Sequence, residues 1–263
     1  MTNLQFVPNA VNAGECVSSG WEMLKRNYGM YLGIALITLI LTGCIPCLNI
    51  FLIGPIMGGV FYVVLRDMRG EPVEFGMMFK GFEKFVPLMV IGLIQSIPGV
   101  IAQIVQYVIR FAEIGLNTGR GRDLDFFQSS GSAIGAGVAM IAIIFALGFM
   151  AFGIIWWLCF FCAVPLAMEY DLSPIDAIKL SARAGMSNVG GLIVLLLFQI
   201  LIVLLGVVMI CLGVFFFSMP LVYIANAFAY RQIFPYLDEQ YRNMAPTPPA
   251  YGAGYGQGQW PQS

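Results

Sequence analysis

The sequence predicts an all-α fold: a polytopic membrane helix bundle of about six transmembrane helices. The helices are arranged as three hairpins, each preceded by an amphipathic interfacial helix. Three observations carry this. First, 59% of the 263 residues are hydrophobic and only 10% are charged, whereas a soluble domain carries about 25% charged residues to cover its surface. Second, the charges are segregated: no Asp, Glu, Lys or Arg interrupts Asn27–Leu65, Phe85–Ile109, Phe126–Met168 or Ala184–Tyr230. Third, apolar positions before three of these stretches recur at helical spacing beside clustered charges.

Residues 1–28 form the N-terminal amphipathic segment. Val17, Trp21, Leu24 and Tyr28 make its stripe, with Glu22, Lys25 and Arg26 on other faces. A span needs about 20 apolar residues. Asn27–Leu65 therefore reads as two spans with a tight turn at Gly43 and Pro46. Phe75, Phe79, Phe82 and Val86, flanked by Lys80, Glu83 and Lys84, form a second stripe before the span Phe85–Ile109. In Phe126–Met168, Gln128–Ser132 is polar enough for a loop, and Val138–Val164 then reads as one long, tilted helix. Ser173, Pro174 and Asp176 suit the N-cap, N1 and N3 positions of a third amphipathic helix, with Ile175, Ile178, Ala182 and Val189 as its stripe. Ala184–Tyr230, with Gly206 and Gly213 near its centre, holds the last two spans. Residues 29–243 are thus the membrane domain. Residues 244–263 are Pro, Gly, Tyr and Gln-rich without charge, a disordered tail that cannot bury a core. Pro248-Pro249-Ala250-Tyr251 within it has the form of a WW-domain ligand.

Amphipathic segments of this kind lie in the membrane interface, with Trp21, Phe79 and Phe82 at the acyl boundary and Lys25, Arg26, Lys80 and Lys84 near lipid phosphates. The alternative is that they are cytosolic loops packed on the bundle. Six spans place Lys25, Arg26, Arg66, Arg69, Lys80, Lys84, Lys179, Arg183, Arg231 and Arg242 on one side and Arg110, Arg120 and Arg122 on the other. Splitting the long fourth helix would even out that division, so the positive-inside rule favours six spans with both termini cytoplasmic, in the inner (plasma) membrane. The N-terminal segment is too polar and too long for a cleavable signal. Leu41-Thr42-Gly43-Cys44 matches a lipoprotein box, but the chain stays apolar after Cys44.

The first and last hairpins resemble each other. Asn27 and Asn188 precede their first spans, and Pro55 and Pro220 stand at the same spacing before Arg66 and Arg231. A parallel internal repeat is expected, differing in length by about one helical turn.

Histidine is absent, which removes the usual general base and the commonest metal ligand. The net charge of −1 argues against nucleic acid as a partner, and no cofactor is called for. Cys44 and Cys47 fall at the outer turn of the first hairpin and Cys211 at that of the last. A disulfide among these three is one reading and apolar packing the other. Cys159 and Cys162 read as packing residues, and the setting suits neither a redox nor a zinc site. Asn49, Gln95, Gln103, Gln106, Gln199 and Asn226 are the amides within spans, and interhelical hydrogen bonding is their default use. Gln95, Gln103 and Gln106, with Ser96, Pro98 and Gly99, have a second reading as a broken helix lining a polar cavity. Gly54 with Gly58 allows close helix approach. Asp123 and Asp125 lack a third ligand for calcium.

Several short motifs stand together: Gly54-Pro55 with Gly58, Arg69-Gly70-Glu71-Pro72, Phe79-Lys80-Gly81-Phe82 with Phe85, Ala177 and Ser181, Gly190-Gly191, Pro220, and Tyr230-Arg231. In these the chain resembles a bacterial family of uncharacterised six-span proteins related to the membrane domain of glycerophosphodiester phosphodiesterases. The resemblance covers roughly residues 10–235 and implies topology. The catalytic barrel of those enzymes is absent, so their hydrolase activity is not implied. The expected function is a non-enzymatic scaffold, assembly factor or modulator, with membrane lipids and other membrane proteins or a homo-oligomer as partners. The alternative is a transporter or channel for a neutral or amphipathic solute. Single cysteines at Asn117 and Gln257, in a variant carrying no other cysteine, should label from opposite sides of the membrane. Labelling from one side would overturn the six-span topology.

Overall fold

A computed structural model describes residues 4–43, 46–119, 133–209 and 213–235. Their elements, in order, are α1 (Ala13–Arg26), α2 (Tyr28–Gly43), α3 (Pro46–Met68), a 3₁₀ helix (Phe75–Phe82), α4 (Phe85–Gly119), α5 (Ala133–Phe160), α6 (Ala163–Glu169), α7 (Pro174–Ser187), α8 (Val189–Val208), a π turn (Val214–Ser218) and α9 (Met219–Ile233). No strand occurs among the described residues, and the fold is the expected all-α bundle. Among the described residues five stretches are long and apolar enough to cross a membrane: Ile50–Met68, Phe85–Val108, Ile143–Glu169, Val189–Val208 and Val214–Ile233. The sixth apolar helix, α2, has 16 residues. It reaches about 24 Å, short of the roughly 30 Å hydrocarbon core. The loop after Gly119, the tail beyond Pro235 and Asp123 and Asp125 lie outside the described residues.

Local chemistry explains most boundaries. Asn12 caps α1, its side chain accepting from Glu15 N at 3.3 Å. Ser173 caps α7 in the expected way, accepting from Asp176 N at 3.2 Å, with Pro174 at the first position. Gly70 ends α3 at φ +73, a left-handed conformation in which its N–H bonds Asp67 O at 2.9 Å.

Two elements differ from expectation. The second amphipathic segment is a 3₁₀ helix, not an α-helix. The fourth span is broken: α5 stops at Phe160 and α6 starts at Ala163. Pro165 lies just beyond the window read as turn-free and has no donor for the Phe161 carbonyl. The Cys162 N–H turns instead to Ser181 Oγ at 3.0 Å.

The packing follows a cyclic rule. The 3₁₀ helix docks on α3, α7 docks on α5, and α1 docks on α9, with α8 on its other flank. Each amphipathic element thus packs on the outgoing helix of the hairpin before it, and α1 closes the ring. The docking faces mix small residues with a few large ones: Ala13, Cys16, Gly20, Met23 and Leu24 on α1, Met78 and Gly81 on the 3₁₀ helix, and Ala177, Ser181, Ala184 and Gly185 on α7. A Cβ on Gly81 would overlap the Pro55 carbonyl, one on Gly59 the Met78 carbonyl, and one on Gly185 the Leu158 carbonyl. Gly54 and Gly92 make a similar approach between α3 and α4. Of the large apolar residues in the stripes, Trp21, Phe79 and Ile175 are exposed, whereas Leu24 is fully buried.

α1 and α7 each have 14 residues, end on Asn27 and Asn188, and run straight into an apolar helix. The two prolines differ locally. α3 stays α-helical through Pro55, whereas Pro220 follows the π turn. The Phe216 carbonyl, four residues before Pro220, accepts the Tyr28 hydroxyl at 3.1 Å.

Alanine at Gly59 or Gly81 should destabilise the protein by about 1–3 kcal/mol, because backbone must move to admit a methyl group. Alanine at Gly148 or Gly190, where a Cβ meets nothing, should be neutral or slightly stabilising. Thermal unfolding of the detergent-solubilised variants checks the contrast.

Candidate functional site

Two carboxylates gather the polar chemistry where the spans begin and end. Asp67, one residue from the end of α3, is buried. It accepts from Arg26 at 2.8 Å, from Asn27 Nδ2 at 3.2 Å and from Tyr31 Oη at 2.5 Å. It thereby fastens the α1–α2 junction to α3. Glu169, at the end of α6, accepts from Tyr230 Oη at 2.6 Å and from Arg231 at 2.8 Å, which fastens α6 to α9. Arg231 also donates to Phe234 O at 3.3 Å. Each cluster is a carboxylate held by one tyrosine hydroxyl and one guanidinium, and such charge-assisted bonds are the strong ones.

Asn188 is a third anchor. Its amide donates to Ala184 O at 2.9 Å and Val7 O at 3.1 Å and accepts from Ala10 N at 2.8 Å. Val7 N also bonds Ile233 O at 2.9 Å. The segment before α1 therefore stitches the α7–α8 turn to the end of α9. Gly191 is needed there, since a Cβ would strike the Val11 carbonyl. Cys16 Sγ contacts Gln232 Oε1 at 3.2 Å. Burial, then the neighbouring Glu15 charge, pushes this thiol up to about 12, so it stays protonated and unreactive at neutral pH. Burial likewise raises the Tyr170 phenol, with Glu169 adding to the effect.

A cavity of about 770 Å³ opens beside the first cluster, lined by Ser19, Glu22, Arg26, Asp67, Arg69 and Gly70 among others. A smaller apolar groove of about 380 Å³ runs between α1 and α8, with Trp21 at 5.3 Å from the Phe217 ring.

The four cations expected at the headgroups all have carboxylate partners. Lys25 pairs with Glu22 at 3.0 Å, Lys80 with Glu83 at 3.0 Å, Arg26 with Asp67, and Lys84 with Asp171. The first two pairs are exposed and worth about 0.5 kcal/mol or less, so they leave the lysines available to phosphate. Lys84 is half-buried and also donates to Met168 O at 2.8 Å, which fixes it as a fastening of α4 to the segment after α6. Phe82 is half-buried and stacks on Phe85 at 6.3 Å, while Trp21 and Phe79 are exposed.

Of the span amides, Gln199 donates to Asn226 at 2.6 Å across α8 and α9, as expected. Gln103 and Gln106 are exposed and Gln95 is half-buried, its backbone oxygen accepting from Trp156 Nε1 at 3.2 Å. The side chains of Cys44, Cys47 and Cys211 lie outside the described part, and Cys16, Cys159 and Cys162 are free. Among the described residues no three His, Cys, Asp or Glu side chains come together as a metal site.

Sequence reasoning missed Asp67, Glu169, Tyr31 and Tyr230. The available signal was an acid directly bounding an uncharged stretch, beside Arg66 in one case and opposite Tyr230-Arg231 in the other. No family model matches the chain, and no curated protein or solved structure matches it.

Removing one partner of a buried ion pair leaves the other charge without compensation, so Glu169→Gln should cost about 3 kcal/mol. Lys80→Gln should cost about 0.5 kcal/mol or less. Comparing their unfolding midpoints in one detergent measures the difference.

Proposed function

We propose that the chain is a non-enzymatic integral membrane component that acts as a scaffold, assembly factor or modulator. It resides in the inner (plasma) membrane with both termini in the cytoplasm. The observation that carries this reading is the division of its chemistry. The interior is a continuous apolar core that includes Ile34, Ile56, Val60, Leu88, Ile91, Leu166 and Ile224. The buried charges are gathered at the span ends, in clusters tied together by charge-assisted hydrogen bonds. A carboxylate held by a tyrosine hydroxyl and a guanidinium serves here as a fastening between helices.

The docked amphipathic elements support lipid as a partner. Each buries one side against the spans and leaves a large apolar residue (Trp21, Phe79 or Ile175) exposed beside its charges, which is the distribution an interfacial helix needs. Lys25 and Lys80 are the cations best placed to meet anionic headgroups, and each adds about 1 kcal/mol near such a surface. The likeness to six-span membrane domains of glycerophosphodiester phosphodiesterases is carried forward as a proposal about architecture alone.

The second reading, a transporter or channel for a neutral or amphipathic solute, rests on the polar side of α4, where Gln103 and Gln106 are exposed. The two readings differ in whether water enters the bundle. Single cysteines at Ile34, Ile56, Ile91 and Leu195, all buried, should resist a small charged thiol reagent applied to membranes. Labelling at two or more of these positions would reveal a wet path and overturn the scaffold reading in favour of the transporter.

A further inference from the structure

We propose that the half of α4 away from the clamped end is a self-association seam, at which two copies of this chain pair in parallel through Gln103 and Gln106. This deepens the scaffold reading by naming a partner, and its test is independent of whether the bundle interior is dry.

The seam is written in the spacing. Gly92, Ser96, Gly99, Gln103, Gln106 and Arg110 follow one another at alternating steps of four and three, on a helix whose other positions there are mostly Ile, Val, Leu and aromatic. That alternation keeps one stripe facing a neighbouring helix at a shallow left-handed crossing. The near end of the stripe is already used this way within the chain, where Gly92 lies against Gly54 of α3. Past that contact the stripe continues with no neighbour among the described residues. A Cβ on Gly99 would meet nothing within 4 Å, and Gln103, Gln106 and Arg110 are exposed.

Both glutamines fall within the apolar stretch Phe85–Val108, and the described residues supply no hydrogen-bond partner for either side chain. Hydrocarbon offers none, so an amide on a lipid-facing helix is drawn to a partner in protein. The choice of a second copy comes from the chemistry of the amide. It is donor and acceptor at once, so it can bond its own counterpart across a two-fold axis. All copies cross the membrane in the same sense, so the axis lies along the membrane normal and the two α4 helices run parallel. In a parallel seam each stripe residue meets its own counterpart, and Gly99 lets the backbones approach. Arg110 follows the end of the span, where headgroups and water solvate its charge.

The test uses the full chain in lipid vesicles, with single cysteines on a cysteine-free background and oxidative cross-linking. Gly99→Cys and Arg110→Cys, on the stripe, should give about tenfold more dimer than Ile101→Cys and Val108→Cys on the opposite face. In the Arg110→Cys background, adding Gln103→Leu and Gln106→Leu should lower the dimer about tenfold, the sum of two interhelical amide bonds. Asparagine at both positions should retain it. Unfolding midpoints of the monomer should be the same for the Leu and Asn variants, which separates lost pairing from misfolding. Equal cross-linking on both faces, or a Leu variant that dimerises as before, overturns the proposal. So does single-molecule counting in vesicles that finds only monomers, which would leave lipid or water as the occupant of the stripe.

Discussion

Backbone-to-backbone approach at glycine is the constraint on which the other features depend. Helices in lipid gain nothing from hiding apolar surface from one another, because the lipid is as apolar as they are. Association has to come from close van der Waals contact and from polar bonds. Gly54, Gly59 and Gly81 supply the first around α3, and Gly185 repeats it on α7. Once the 3₁₀ helix is seated on α3, the start of α4 is fixed, Lys84 reaches Asp171, and Leu88 fills the space beside Gly54 and Gly58. A single methyl group at such a joint separates two backbones, and every later contact shifts with them.

The charged clusters act on what the glycines bring together. The Asp67 cluster joins α1, α2 and α3, and the Glu169 cluster joins α6 and α9, elements distant in sequence. Their placement at span ends follows from dielectric cost. A carboxylate in mid-membrane is expensive even when paired, whereas at the rim it can be half-solvated during folding and enclosed afterwards. The Asp67 cluster therefore fixes α1 against the bundle, and the Glu169 cluster fixes α6 against α9, without demanding a charge within the hydrocarbon. The same elements keep Trp21, Phe79 and Ile175 outward, so docking to the spans and contact with lipid use different faces and do not compete.

Much of this was legible in the sequence because membrane helices announce themselves by what they lack. The charge-free stretches gave the apolar helices, and Ser173-Pro174 with Asp176 gave the start of α7 to the residue. The break at Phe161-Cys162 is not visible within Val138–Val164, because the proline responsible, Pro165, stands one residue beyond it. The 3₁₀ geometry was missed because an aromatic stripe at every third or fourth position suits either helix. Faces were the harder problem. The stripe Val17, Trp21, Leu24, Tyr28 reads as one apolar surface, but of it the bundle buries only Leu24, together with Ala13, Cys16, Gly20 and Met23. Hydrophobicity marks the side that avoids water, and in a membrane that side belongs to lipid as often as to protein. Several motifs behind the family resemblance turn out to be joints: Gly54 and Gly58, the left-handed Gly70, Gly81, Ala177 with Ser181, Gly191, and Arg231.

The same distinction between faces gives the polar stripe on α4 its significance. Thr38 Oγ1 in α2 is buried without a partner, but other polar atoms within the spans pair by the shortest route: Gln199 with Asn226, Ser218 Oγ with Ile202 O, Thr42 Oγ1 with Thr38 O. Each is local, either within a helix or between neighbours in one hairpin. Gln103 and Gln106 depart from that pattern, and they do so on the stretch of α4 that has run past the end of α3. The long α4 and α5 present apolar surface almost all round over Ile101–Phe111 and Ile143–Met150, as expected of helices that lipid surrounds. On such a helix an apolar side chain needs no explanation and a pair of amides does. Because the amides share a face with Gly99 and lie in register with the Gly92 contact, a helix packed along that face accounts for both features at once. A bare exposure to lipid accounts for neither.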